Sequence, residues 1–285
     1  MKNLGVIANC SKPPAAEVLQ RLGRKADALG LRLLASGETA RLLPSAESVT
    51  LEEMLARMEA LATLGGDGTM LRAIRDMDGL DKPVLGVNIG GLGFLTGVAQ
   101  DNLERALECM SRGDYTTSTR SMAECTATVG ERRLGYRAVN DFVLTYNGHP
   151  RIITLDLEVD GQEVTSYRCD GLVICTPTGS TGHSLAAGGP IVLPGSPVFV
   201  VSLICAHTLS TRPLVVPDSS VLTVRVAENS ADTRLSVDGQ IGQPLAPGDR
   251  VEVSRSSKTV RFIHLPGYSY FSGLRQKLHW RGSNV

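Results

Sequence analysis

The chain has 285 residues, 42% of them hydrophobic, and its 29 Lys+Arg balance 29 Asp+Glu to a formal net charge of zero. That is enough apolar material for one large domain or two ordinary ones. The balance lacks the basic surplus of a nucleic-acid binder, so any anionic ligand must be held by local groups.

The N-terminus, "MKNLGVIANCSKPP", lacks the pattern of a signal peptide, and "NLGVIAN" reads as a short apolar strand. From Ala15 to Leu29, Val18, Leu19, Leu22, Ala26 and Leu29 recur at helical spacing. "TLEEMLARM" opens with Thr50-x-x-Glu53, a capping-box pattern. "ALATL" is a strand ending in glycines, and "KPVLGVNIGGLGFLT" is another. "DNLERALECM" places Asp101 and Glu104 in capping positions and Leu103, Ala106, Leu107 and Met110 on one face. This alternation of strands and helices predicts a Rossmann-like parallel sheet over residues 1–115, with ligands at the carboxyl ends of its strands.

After about Tyr115 the pattern becomes β-rich. "ITLDLEVDGQEVTSY" alternates and turns at Asp160-Gly161, a hairpin signal. "VLTVRVAEN", "TRLSVDGQ" and "RVEVSRS" continue it, so residues 116–265 are expected to form a β-sandwich-like second domain. The longest apolar run, "PVFVVSLICA", is too short to span a membrane and reads as a buried strand. "SYFSGLRQKLHW" reads as a helix in 266–285 that packs back on the first domain. Six cysteines and five histidines are scattered without zinc-site spacing, which favours reduced, buried thiols in a cytoplasmic protein and no protein-built metal site.

Five stretches carry chemistry. Gly65-Gly66-Asp67-Gly68-Thr69 is a glycine turn between a strand and a helix, suited to close backbone approach and anion binding. It lacks the lysine of a Walker A loop, and its alternative reading is a tight turn with Asp67 as helix N-cap. "NIGGLGFLT" adds a glycine loop with one aromatic, Phe94, either a base-stacking face or a core residue. Asn140-Asp141 interrupts a strand pattern with an amide and a carboxylate that can read ligand hydroxyls, or simply marks a turn. "YRCDGLVICTPTGSTGHSLAAGGPI" concentrates hydroxyls and glycines after a strand, with Arg168 and Asp170 leading in. "SVDGQ" is a strand meeting a turn.

Taken together, these five stretches, in this order, closely resemble the NAD kinase family, as does "ICAHTLSTRPLVVP". The resemblance covers most of the chain. It implies an α/β N-terminal domain, a β-rich C-terminal domain, and transfer of the ATP γ-phosphoryl group to the 2′-hydroxyl of the adenosine ribose of NAD. It implies Asp67 as general base, with Gly68 and Arg72 beside it and Phe94 flanking the adenine. Asn140, Asp141, Arg151, Arg168, Asp170, Thr178, Thr181, Gly182, His183, Ser184, Leu185, Ala186 and Gln240 match positions that contact NAD. It further implies a divalent cation, Mg or Mn, arriving with ATP, and a homodimer or homotetramer. The family's Thr-Ala-Tyr-Ser is here Thr181-Gly182-His183-Ser184, so a titratable ring replaces the tyrosine. A lipid or sphingoid-base kinase shares the glycine turn but lacks "TPTGSTGHSLAAGGP" and "SVDGQ". A non-catalytic NAD-binding regulator is expected to have lost the carboxylate at 67.

Overall fold

The computed structural model describes residues 1–91, 93–148, 152–208 and 210–280. It divides into two compact units: Met1–Thr119 with the segment from Val260 onward, and Arg120–Thr259.

The first unit runs β1 (Asn3–Ala8), α1 (Ala15–Leu29), β2 (Arg32–Ala35), α2 (Gly37–Leu42), β3 (Glu47–Ser48), α3 (Leu51–Arg57), β4 (Ala60–Gly65), α4 (Asp67–Asp76), β5 (Pro83–Asn88), β6 (Val98–Ala99) and α5 (Leu103–Arg112). The strands pair in parallel in the order β3-β2-β1-β4-β5. The parallel strands β4 and β5 are buried along their whole length, which is why they read as continuous apolar runs. The chain order reverses between β1 and β4, the place where open α/β sheets bind ligands. The buried stripe of α1, including Val18, Leu19, Leu22 and Ala26, packs into the core, and Gly30 (φ 67°) ends the helix in the left-handed region.

The capping box at α3 is present in both directions: Glu53 N–H donates to Thr50 Oγ1 at 3.1 Å, and Thr50 N–H to Glu53 Oε2 at 2.9 Å. The caps expected at α5 do not form. Its N-cap is Asn102, without a side-chain bond, and Glu104 instead accepts both Arg21 Nε and Nη2 at 2.8 Å from α1. A bidentate charged donor from the neighbouring helix outcompetes a local cap.

The second unit is two antiparallel sheets. β7 (Thr116–Val129), β8 (Arg132–Ala138), β9 (Asp141–Tyr146), β10 (Ile153–Val159), β11 (Gln162–Cys169) and β12 (Gly171–Cys175) come first. The short helix α6 (His183–Ala186) then precedes β13 (Val198–Ile204), β14 (Leu214–Pro217), β15 (Leu222–Val226), β16 (Thr233–Val237), β17 (Ile241–Leu245) and β18 (Arg250–His264). One sheet has the order β14-β13-β12-β9-β16-β17; the other contains β11-β10-β15-β18, with β7 pairing to β18 and β8. Phe142, Leu144, Leu172 and Phe199 from the first sheet share one core with Leu155, Val224 and Val251 from the second, which makes the unit sandwich-like. The β10–β11 hairpin turns at Asp160 (φ 52°) and Gly161 (φ 75°), the two left-handed positions its sequence predicts. From Val260 the chain is back in the first unit, where Arg261 and Phe262 pair in parallel with β5 before α7 (Tyr270–Lys277). All six cysteines are free thiols; Cys205 is exposed, against the expectation of burial, while Cys109, Cys125, Cys169 and Cys175 are buried.

Candidate active site

In the first unit, β4 delivers Gly65 to the start of α4. A Cβ at Gly65 would collide with the side chain of Thr69, which folds back over the turn, so only glycine fits. The helix N-cap is Gly66, and Asp67 does not cap it. The Asp67 carboxylate turns instead to the loop after β5. Its Oδ2 accepts Phe94 N–H at 2.6 Å; its Oδ1 accepts Leu95 N–H at 3.0 Å, Thr96 N–H at 3.2 Å and Thr96 Oγ1 at 3.3 Å. A Cβ at Gly93 would fall on the carboxylate itself, so the glycine makes the cradle possible. Asn88 braces the same loop, accepting Gly90 N–H at 2.8 Å and donating to Gly91 O and Thr96 Oγ1, each at 2.9 Å. The two glycine stretches of the sequence are thus one structure, joined through Asp67.

Phe94 is half-buried, and Lys277 of α7 sits over its ring with Nζ 4.2 Å from the centroid. Burial lowers the pKa of the Lys277 ammonium, and the negative charge of Asp67 opposes that shift. Gly68 and Arg72 are exposed on the first turns of α4. Arg72 is near enough to Cys10 to counter part of the rise that burial imposes on that thiol.

In the second unit, Asn140 and Asp141 meet the threonine-rich turn after β12. Thr176 N–H donates to Asn140 O at 2.9 Å, and Thr176 Oγ1 to Val139 O at 2.6 Å. Gly179 lies so close to the Asn140 backbone that no Cβ fits, and a Cβ at Gly182 would come within 3.9 Å of both Asn140 Nδ2 and Asp141 Oδ2. The hub of this cluster is a residue that sequence reading passed over, Asp238. Its carboxylate accepts Val139 N–H at 2.9 Å, Asn140 N–H at 2.8 Å and Asp141 N–H at 3.1 Å. The signal was in "SVDGQ", where Asp238 (φ 49°) and Gly239 (φ 66°) make a left-handed turn. Asp141 is 5% exposed, and burial followed by the nearby Asp238 charge pushes its carboxyl up to about 7.

Two side-chain atoms of the same cluster, Asn140 Oδ1 and Thr178 Oγ1, are buried with no hydrogen-bond partner. Buried polar atoms without partners are uncommon, and each keeps hydrogen-bonding capacity that a water or a ligand could take. Ser184 is fully buried, with Oγ 3.0 Å from Ser202 Oγ, and it anchors α6. That leaves Gly182, His183 and Ala186 exposed and Thr181 and Leu185 half-buried.

Arg168 and Asp170 form a separate patch. Arg168 lines a 430 Å³ cavity with Tyr167, His207 and Arg212. His207 N–H donates to Arg168 O at 2.9 Å, and His207 Nε2 stands 3.9 Å from Asp170 Oδ1. Gln240 is exposed at the end of the Asp238 turn. Arg151 lies outside the described residues.

The first unit thus carries a glycine cradle around a carboxylate at a strand end, and the second a hydroxyl-rich turn with unpartnered polar atoms. Two family models match the chain: the ATP-NAD kinase N-terminal domain over residues 4–115 and the ATP-NAD kinase C-terminal domain over residues 139–265. The chain is 39% identical to an NAD kinase of Gemmatimonas aurantiaca over 281 residues, covering 98% of this chain and 96% of that one. It is 38% identical to an NAD kinase of Moorella thermoacetica over 283 residues, covering 99% and 91%. Among solved structures it is similar to yeast NADH kinase complexed with NADH, with a TM-score of 0.92, 25% identity, and coverage of 100% of this chain and 89% of that one. The chain belongs to the NAD kinase family, and it is a kinase.

Proposed function

We propose that the chain transfers the γ-phosphoryl group of ATP to the 2′-hydroxyl of the adenosine ribose of NAD, giving NADP and ADP, with Asp67 as general base. The observation that carries this reading is the division of labour between the two oxygens of Asp67. Oδ1 takes three donors from Leu95 and Thr96, while Oδ2 takes the Phe94 N–H. A carboxylate oxygen has two lone pairs, so Oδ2 can accept a ribose hydroxyl and then its proton. The backbone donors fix the direction from which the hydroxyl must come. Phosphoryl transfer otherwise depends on alignment and on offsetting charge over the phosphate oxygens.

NAD contacts are assigned to Gly68, Arg72, Phe94, Asn140, Asp141, Arg151, Arg168, Asp170, Thr178, Gln240 and the segment Thr181 to Ala186. The unpartnered Asn140 Oδ1 and Thr178 Oγ1 support this for the second unit. The exposed ring of His183 supports a stacking role in place of the family's tyrosine. The phosphoryl donor is ATP with Mg or Mn. A cation that arrives with ATP would be held in part by the phosphate oxygens of the nucleotide. When bound, the cation offsets phosphate charge. We place the enzyme in the cytoplasm as a homodimer or homotetramer; six free thiols suit a reducing compartment. No helix among the described residues is long and apolar enough to cross a membrane.

The test is an NADP-formation assay with ATP and Mg²⁺ on wild type and Asp67→Asn. The variant is expected to lose roughly two to four decades in kcat, the range for a general base, while NAD binding stays measurable. Undiminished turnover would remove Asp67 from the chemistry.

A further inference from the structure

The loop after β1 holds a lysine to which the mechanism above gives no task. Lys12 is fixed by its backbone, with Lys12 N–H donating to Asn9 O at 3.2 Å, Ala15 N–H donating to Lys12 O at 3.0 Å, and Asn9 N–H donating to Leu64 O of β4 at 2.8 Å. Its half-buried side chain runs to both glycine turns. A Cβ built at Gly90 would lie 2.6 Å from Lys12 Nζ, and one at Gly66 would lie 3.7 Å away. Among the described residues the ammonium has neither a carboxylate nor a hydrogen-bond acceptor.

The backbones beside the ammonium offer it no counter-charge. Gly66 is the N-cap of α4, the end of a helix where the peptide dipoles leave partial positive charge. Asp67, the acid beside it in sequence, is committed to Phe94, Leu95 and Thr96 on the neighbouring loop. An ammonium, a helix N-terminus and two glycine backbones therefore lie together, and the one carboxylate of the turn is bonded to another loop. They also meet at the carboxyl ends of β1 and β4, the pair of strands between which the chain order reverses.

We propose that Lys12 is a binding residue for condensed phosphate, and that the phosphate is the triphosphate of ATP. This assignment rests on the NAD kinase reading. Lys12 then supplies part of the positive charge that lets a triphosphate approach a turn carrying a carboxylate. Both ATP and NAD carry condensed phosphates, and the kinetics separate them. Lys12→Met is expected to raise KM for ATP roughly ten- to hundred-fold, the loss typical of one charged hydrogen bond, with KM for NAD within about two-fold of wild type. Lys12→Arg restores most of the ATP affinity. Inorganic tripolyphosphate competes with ATP on wild type and does so more weakly on Lys12→Met. Unchanged KM for ATP, or a rise confined to KM for NAD, overturns the assignment. Acylation of wild type followed by peptide mass analysis serves even if the variants do not fold: tripolyphosphate should protect Lys12 and NAD should not, and the absence of protection overturns the proposal. Wild type that forms no NADP from ATP and NAD defeats the kinase reading itself, whereas an active wild type with an indifferent Lys12→Met defeats only the role of Lys12.

Discussion

Asp67 and Asp141 are the same residue type placed at strand ends in two different units, and their neighbours are opposite in kind. Asp67 faces four donors from one loop, three of them backbone N–H groups. Asp141 faces a second carboxylate, Asp238, in a buried setting, and its own side-chain proton is held to about 7. The first arrangement aims a carboxylate; the second makes one that changes charge near neutral pH. Residue type alone fixes neither outcome.

The comparison can be broken from either side. The largest effect is expected at Asp67→Asn, with its loss of roughly two to four decades in kcat. If Asp67 only held its loop, turnover would fall in step with thermal stability, and adding NAD would restore both. Next comes Asp238→Ala, which removes the acceptor of three N–H groups from residues 139–141. We expect a loss of about 2–4 kcal/mol in denaturant unfolding and a raised KM for NAD, since three part-buried donors that lose their acceptor cost about 1 kcal/mol each. A loss under about 0.5 kcal/mol would show that the hub is dispensable.

Asp141→Asn should act on pH dependence. The folded carboxyl titrates near 7, above its ordinary value of 3.8, so the folded state holds the proton more tightly. The stability this contributes is complete below 3.8 and is lost as pH rises to about 7. Wild type should therefore lose more Tm between pH 5 and pH 8 than Asp141→Asn does; parallel profiles would refute the titration. The smallest effect belongs to Lys277→Met. It keeps the apolar stem over Phe94 and removes the charge, costing about 0.5–1 kcal/mol of unfolding free energy. An unchanged or higher stability would mean that the ring contact is incidental.

Much of this was legible in the sequence because it was local. The Thr50–Glu53 box, the Asp160-Gly161 hairpin and the glycine turns depend on a few adjacent residues. The buried runs of β4 and β5 announced a parallel sheet. What escaped depends on distant partners. A helix cap stays open as the alternative reading of Asp67, because the Phe94–Thr96 donors are 27–29 residues away. Glu104 read as a cap because Arg21, 83 residues earlier, was out of view. Lys12 was an unremarked loop lysine until the backbones of Gly66 and Gly90 were beside it. Asp238 is hidden in "SVDGQ" for the same reason, since its partners lie 97–99 residues away.

The Asp238 turn also has a meaning in time. Its bonds to Val139, Asn140 and Asp141 span 97–99 residues of chain. Contacts of that range close late, because loop entropy is spent before they form. A ribosome-bound chain that has not yet released Asp238 can hold a finished first half of the Rossmann-like sheet, yet it lacks the brace that sets Asn140 and Asp141.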